Sequence, residues 1–111
     1  MSEEKTINDK QIRWLICLIF YENQRAQKRE AGGWVRLAML QRLLQAQGYD
    51  LTKEEIHSVY CVYLADKEIG CIEIDKSGDH APFIYRYRIT AKGIRAANGE
   101  QKIPGVGLWD Q

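Results

Sequence analysis

His57 and Cys61 stand four positions apart, a spacing that stacks two side chains on one face of a helix, and Cys71 and His80 follow downstream. Four such groups suit zinc if they converge as a tetrahedron. No cysteine has the paired C-x-x-C spacing that marks a structural zinc site, however. These residues read as a surface histidine and small apolar cysteines, with neither metal nor other cofactor expected. Catalysis has less to draw on. The chain contains no Gly-rich phosphate loop, nucleophile elbow or His-Glu-x-x-His run. Glu54 and Glu55 are accounted for by helix capping, and Asp75 and Asp79 by a turn. The chain is read as no enzyme.

Phosphate binding has more residues behind it. Arg25, Lys28, Arg29, Arg36 and Arg42, against Glu30 alone, surround the junction of the first two helical segments. Arg86, Arg88, Lys92 and Arg95 form a second group near the end. Either group can hold a nucleic-acid backbone without reading its sequence. The plainer alternative is a solvated surface in which Glu73 neutralises Arg86. The loop Lys76-Ser77-Gly78-Asp79-His80-Ala81-Pro82 mixes both charges and reads as a solvated connection.

These groups need elements to position them. A first helix is expected to open at Asn8, with Gln11 as its capping partner. Ile12, Leu15, Ile16 and Ile19 share one of its faces, while Trp14, Leu18 and Tyr21 share nearly the opposite one with Cys17 on the flank. Gly32-Gly33 breaks it, and Trp34-Val35 suits a short strand. A second helix runs from about Leu37 to Gln47 and stops at Gly48. Thr52-Lys53-Glu54-Glu55, with Leu51 and Ile56 as a hydrophobic staple, opens a third helix. Its inward stripe is Ile56, Val59, Tyr60, Tyr63 and Leu64; its outward face is Glu54, His57, Ser58, Cys61 and Ala65, and Gly70 ends it.

Strand alternation follows at Ile72/Ile74 and at Tyr85/Tyr87/Ile89. An antiparallel hairpin is expected, with Ile72 opposite Tyr87, Ile74 opposite Tyr85 and Glu73 opposite Arg86. Thr90 then caps a short helix that ends near Gly99. The expected core is Leu37, Leu40, Leu44, Ile56, Tyr60, Tyr63, Ile72, Ile74, Tyr87 and Ile89.

The totals agree with one small α+β domain: 111 residues, 45% hydrophobic, 28% charged and a net charge of +1. So small a net charge exerts no global pull on nucleic acid, and any electrostatic footprint is local. Three cysteines without paired spacing indicate reduced thiols and a cytoplasmic protein. The longest apolar run, residues 14–21, is too short to span a bilayer, so no membrane contact is expected.

From Trp34 to Gly93 the order of helix, hairpin and closing helix resembles the winged helix-turn-helix family. The Gly48 turn into Thr52, "LADKEIGCIEI" and "YRYRITAKGIRAA" carry the likeness. It implies a three-helix core with a C-terminal β-hairpin wing over residues 7–99. Residues 1–6 would be a flexible N-terminus and residues 100–111 an extended tail. It also implies a double-stranded DNA partner for a regulator or a phage or prophage accessory factor, with Arg36, Arg42, Lys53, Arg86, Arg88 and Lys92 on the backbone. The third helix departs from that pattern. Its outward face lacks Arg, Asn and Gln, and Lys53 and Lys67 are outnumbered by Glu54, Glu55, Asp66 and Glu68. A winged helix used to bind another protein, without DNA, is the alternative. The apolar face of Trp14, Leu18 and Tyr21 needs a cover, either a second copy in a homodimer or the tail through Leu108 and Trp109. The dimer is preferred because a tail containing Gly105 and Gly107 loses much entropy on docking.

Overall fold

The computed structural model describes residues 2–26, 33–75 and 85–107, with side chains from residue 9 onward. Helix α1 spans Ser2–Ala26. It therefore starts well before Asn8. Ile12, Ile16, Cys17 and Phe20 are buried on it, the i, i+4, i+5, i+8 pattern of a helix face.

Strand β1 is Val35–Arg36, one residue later than the expected Trp34-Val35. Helix α2, Leu37–Ala46, buries Leu37, Leu40 and Leu44. Gly48 turns the chain with φ of +93°, a conformation other residues rarely adopt. Gln41 Nε2 donates to the Leu51 carbonyl at 3.0 Å, tying α2 to the loop that enters the next helix.

Helix α3 is continuous over residues 53–65: Lys53–Glu55, a π-helical segment Ile56–Cys61, and Val62–Ala65. The capping box is complete, with the Glu55 N–H donating to Thr52 Oγ1 and the Thr52 N–H donating to Glu55 Oε1, both at 3.1 Å. The π turn overturns part of the expected stripe. It takes in an extra residue per turn, so everything after it rotates relative to a straight α-helix. Cys61 becomes fully buried and Val59 is 43% exposed, the reverse of their expected faces. The helix also ends earlier than Gly70: Asp66 turns to ψ 145°, and Gly70 closes the following turn with φ of +62°.

Strands β2 (Ile72–Asp75) and β3 (Arg86–Ile89) pair antiparallel, and the sheet order is β1-β3-β2. The register is Ile72↔Ile89, Glu73↔Arg88, Ile74↔Tyr87 and Asp75↔Arg86. This is two residues from the expected one. A shift of two keeps every side chain on its expected face but exchanges its partners, so Glu73 faces Arg88, not Arg86. The connecting loop, residues 76–82, lies outside the described residues.

Helix α4, Ala91–Ala97, begins at Thr90, whose Oγ1 accepts from the Gly93 N–H at 3.1 Å. It lies along α1. Of the expected core, Tyr63 and Ile74 are only half-buried and the other eight are buried. Phe20 stacks on Tyr87 at 6.1 Å between ring centres, joining α1 to β3 at the middle of the core. Among the described residues the fold is α+β, four helices with a small three-stranded antiparallel sheet.

Candidate functional site

Alternation along β1 and β3 sends Val35, Tyr87 and Ile89 inward and leaves Arg36, Arg86 and Arg88 on the open face of the sheet. β1 sets Arg36 directly opposite Arg86. On the other side of β3, Arg86 forms an ion pair with Asp75. Arg88 reaches Glu73 Oε2 through Nε at 3.1 Å and Nη2 at 2.6 Å. Trp34 lies against both arginines, its ring centre 4.5 Å from the Arg88 guanidinium carbon and 5.6 Å from that of Arg86. The face thus reads Trp34, Arg36, Arg86 and Arg88 against Glu73 and Asp75: aromatic, hydrogen-bond rich and weakly positive. Arg42 is exposed on α2 and Lys53 is half-buried at the start of α3. Lys92 belongs to a different neighbourhood, where its Nζ donates to the Glu68 carbonyl at 3.1 Å. Lys28 and Arg29 lie outside the described residues.

The outward face of α3 carries Glu54, Glu55, Ser58, Val59 and Val62. Val62 is 49% exposed and sits one turn from Val59. His57 and Cys61, expected on this face, are elsewhere. His57 Nδ1 shares a 2.7 Å hydrogen bond with the Tyr87 hydroxyl, and its ring meets Tyr85 edge-on at 4.9 Å. Cys61 lies in the core, where burial pushes its thiol pKa far up. Burial, then Cys61 beside it, does the same to the Tyr87 phenol. The Cys61 thiol and the Tyr87 phenol are therefore neutral across physiological pH. Of the four zinc-type residues, Cys61 and Cys71 are buried, His57 is bonded to Tyr87 and His80 lies outside the described residues; no group of three residues that could hold a metal occurs among the described ones.

A third feature lies between α1, α4 and the tail. Distant groups hold the backbone of the tail through its described residues, to Gly107. Arg13 Nη1 donates to the Gly105 carbonyl at 3.2 Å, and the Tyr63 hydroxyl donates to the Pro104 carbonyl at 2.8 Å. The Arg13 guanidinium lies 4.0 Å over the Tyr63 ring, so one stack serves both bonds. Ile103 is buried, and the Gly107 N–H donates to the Lys10 carbonyl at 3.2 Å. Beside the tail opens a groove of about 580 Å³ whose walls include Lys10, Trp14, Ala97, Lys102, Ile103 and Val106.

Of the expected association surface, Trp14 lines this groove, whereas Leu18 and Tyr21 are half-buried away from it. Arg25 covers Tyr21 at 5.6 Å. Leu108 and Trp109 lie outside the described residues. Sequence reasoning missed Arg13 and Tyr63, since nothing local marks an arginine that will meet a tail 92 residues away.

No family model, curated protein or solved structure matches this chain. The functional reading therefore rests on this geometry.

Proposed function

We propose that the chain is a winged-helix domain that holds duplex DNA by its phosphates through the open face of the sheet. It would serve as an accessory factor or regulator that does not read bases with α3. The observation that carries this reading is the cross-strand pair Arg36↔Arg86. Like charges directly opposite each other destabilise a sheet, and an anion lying between them removes that penalty. Arg88 and Trp34 extend the same surface, giving a phosphate both charge and planar donors. The ion pairs to Asp75 and Glu73 do not block the site. Exposed pairs of this kind contribute only about 0–1 kcal/mol, so a phosphate competes with them readily. The order of elements that suggested a winged helix is kept, with β1 joined to the hairpin through β3.

Three arginines neutralising about three phosphates give a slope of about −2.7 for log K against log salt. Affinity for mixed-sequence duplex should then fall about 40-fold between 50 and 200 mM salt. Equilibrium titrations of a labelled duplex at several salt concentrations test this. Arg36→Gln and Arg88→Gln should weaken all sequences alike and flatten the slope. Absence of binding even at the lowest salt would refute the reading.

In that event the protein-interaction reading would stand, and a different observation favours it. Val59 and Val62 are exposed together on α3 beside Glu54 and Glu55, a surface suited to an apolar partner with basic flanks.

A further inference from the structure

We propose that the outer face of α3 docks a basic amphipathic helix of another protein. This rests on the protein-interaction reading of α3 and is independent of the DNA reading, whose arginines lie on the sheet. Three observations carry it. The first is the π turn. A straight helix would turn Val59 inward, whereas the π-helical segment Ile56–Cys61 brings it out, one turn from Val62. Such turns are rare and recur where a helix face is used. The second is the content of the face. Of the three large apolar side chains exposed among the described residues, two are this pair. Glu54 and Glu55 precede the valines and Asp66 and Glu68 follow them, all four exposed, against Lys53 and Lys67. Glu54 and the Glu68 carboxylate have no partner among the described residues. Glu55 accepts from the Thr52 N–H and Asp66 from the Glu68 N–H, each through one oxygen, which leaves the other for a cation.

The third is the placing of that charge at both ends of the apolar pair. Packing α3 on its own copy in the antiparallel sense sets Glu54 and Glu55 against Asp66 and Glu68. In the parallel sense each acid meets itself. A second copy is therefore disfavoured on this face. A helix with lysines or arginines at both ends of an apolar stripe replaces that repulsion with attraction. Its side chains pack against the Val59/Val62 ridge as one helix packs on another. So small an apolar centre suits a transient contact of micromolar affinity.

The probe is a designed peptide, two repeats of Lys-Leu-Ala-Lys-Leu-Leu-Lys with blocked ends, beside a twin with Glu for every Lys. Titrated into the full-length chain, the Lys peptide should shift amide NMR signals across α3 with micromolar affinity. The Glu peptide should bind at least tenfold more weakly. Val59→Ser/Val62→Ser and Glu54→Lys/Glu68→Lys should each weaken the Lys peptide at least tenfold, while Arg36→Gln leaves it unchanged. Circular dichroism checks the fold of each variant. Should the double serine variant unfold, Val62→Ala alone should still lose several-fold. Duplex binding by Val59→Ser/Val62→Ser should keep its affinity and salt slope, so either reading can fail without the other. Absence of α3 shifts at millimolar Lys peptide would overturn the proposal. Equal binding of both peptides at α3 would remove the basic helix while keeping the interaction reading. Shifts of α3 signals with protein concentration alone would assign the face to a second copy and overturn the proposal too.

Discussion

Two helices in this chain begin at a threonine, and the two threonines are held in different ways. Thr52 and Glu55 satisfy each other's backbone within one exposed turn at the start of α3. Thr90 accepts from the Gly93 N–H in the same local manner, but its hydroxyl also donates to the Gly70 carbonyl at 2.6 Å. Its backbone N–H meets the Cys71 carbonyl at 3.0 Å. Gly93, at the third position of α4, sits directly against that same carbonyl. One threonine starts a helix. The other starts a helix and fastens it to the turn before β2, and so fixes the wall of the groove beside α1. Similar residues thus do local work at one end of the fold and tertiary work at the other.

The contrast is tested most severely at Gly93. A methyl group there would overlap the Cys71 carbonyl and lie 2.7 Å from Ile89 Cγ1. Gly93→Ala should cost about 3 kcal/mol or more in denaturant melts, against the small gain Ala usually brings to a helix. A neutral result would mean that α4 is not clamped to the sheet.

Thr90→Ala removes both the cap and the bond to Gly70, and should destabilise by about 2 kcal/mol. Thr52→Ala loses a cap in an exposed turn and should cost about 1 kcal/mol. Equal losses would erase the distinction between the two. The smallest effect belongs to Val59. As an exposed residue on α3 it should tolerate Val59→Ser within about 0.5 kcal/mol, whereas the straight-helix expectation turns it inward. A loss above about 1.5 kcal/mol would restore the unrotated helix.

The parts of the fold legible in the sequence share one property: their causes lie within a few residues. Thr52 and Glu55 predict their own turn, Gly48 marks a backbone that needs positive φ, and alternation at Tyr87 and Ile89 assigns their face. The open sheet face was legible to the same degree, since Arg86 and Arg88 had to point away from the core. Their partners were not. Registers two residues apart present the same faces to the core, so alternation cannot choose between them; the bonds from Thr90 to the Gly70 and Cys71 carbonyls tie the end of β3 to the start of β2 in the observed one.

The sequence by itself determined the helix starts at Thr52 and Thr90, the stop at Gly48, the two strands of the hairpin and most of the core. Each follows from hydrogen-bonding capacity, allowed backbone angles or periodicity along a short stretch. Only the tertiary structure decided that a π turn would carry Cys61 inward and Val59 outward, because the cost of widening a helix is offset by packing against distant elements. It alone decided that Arg36 would face Arg86, and that Arg13 and Tyr63 would hold the backbone of a glycine-containing tail. Those contacts join residues far apart in sequence. Their energy depends on side-chain shape and solvent exclusion at a meeting place that exists only once the core has formed.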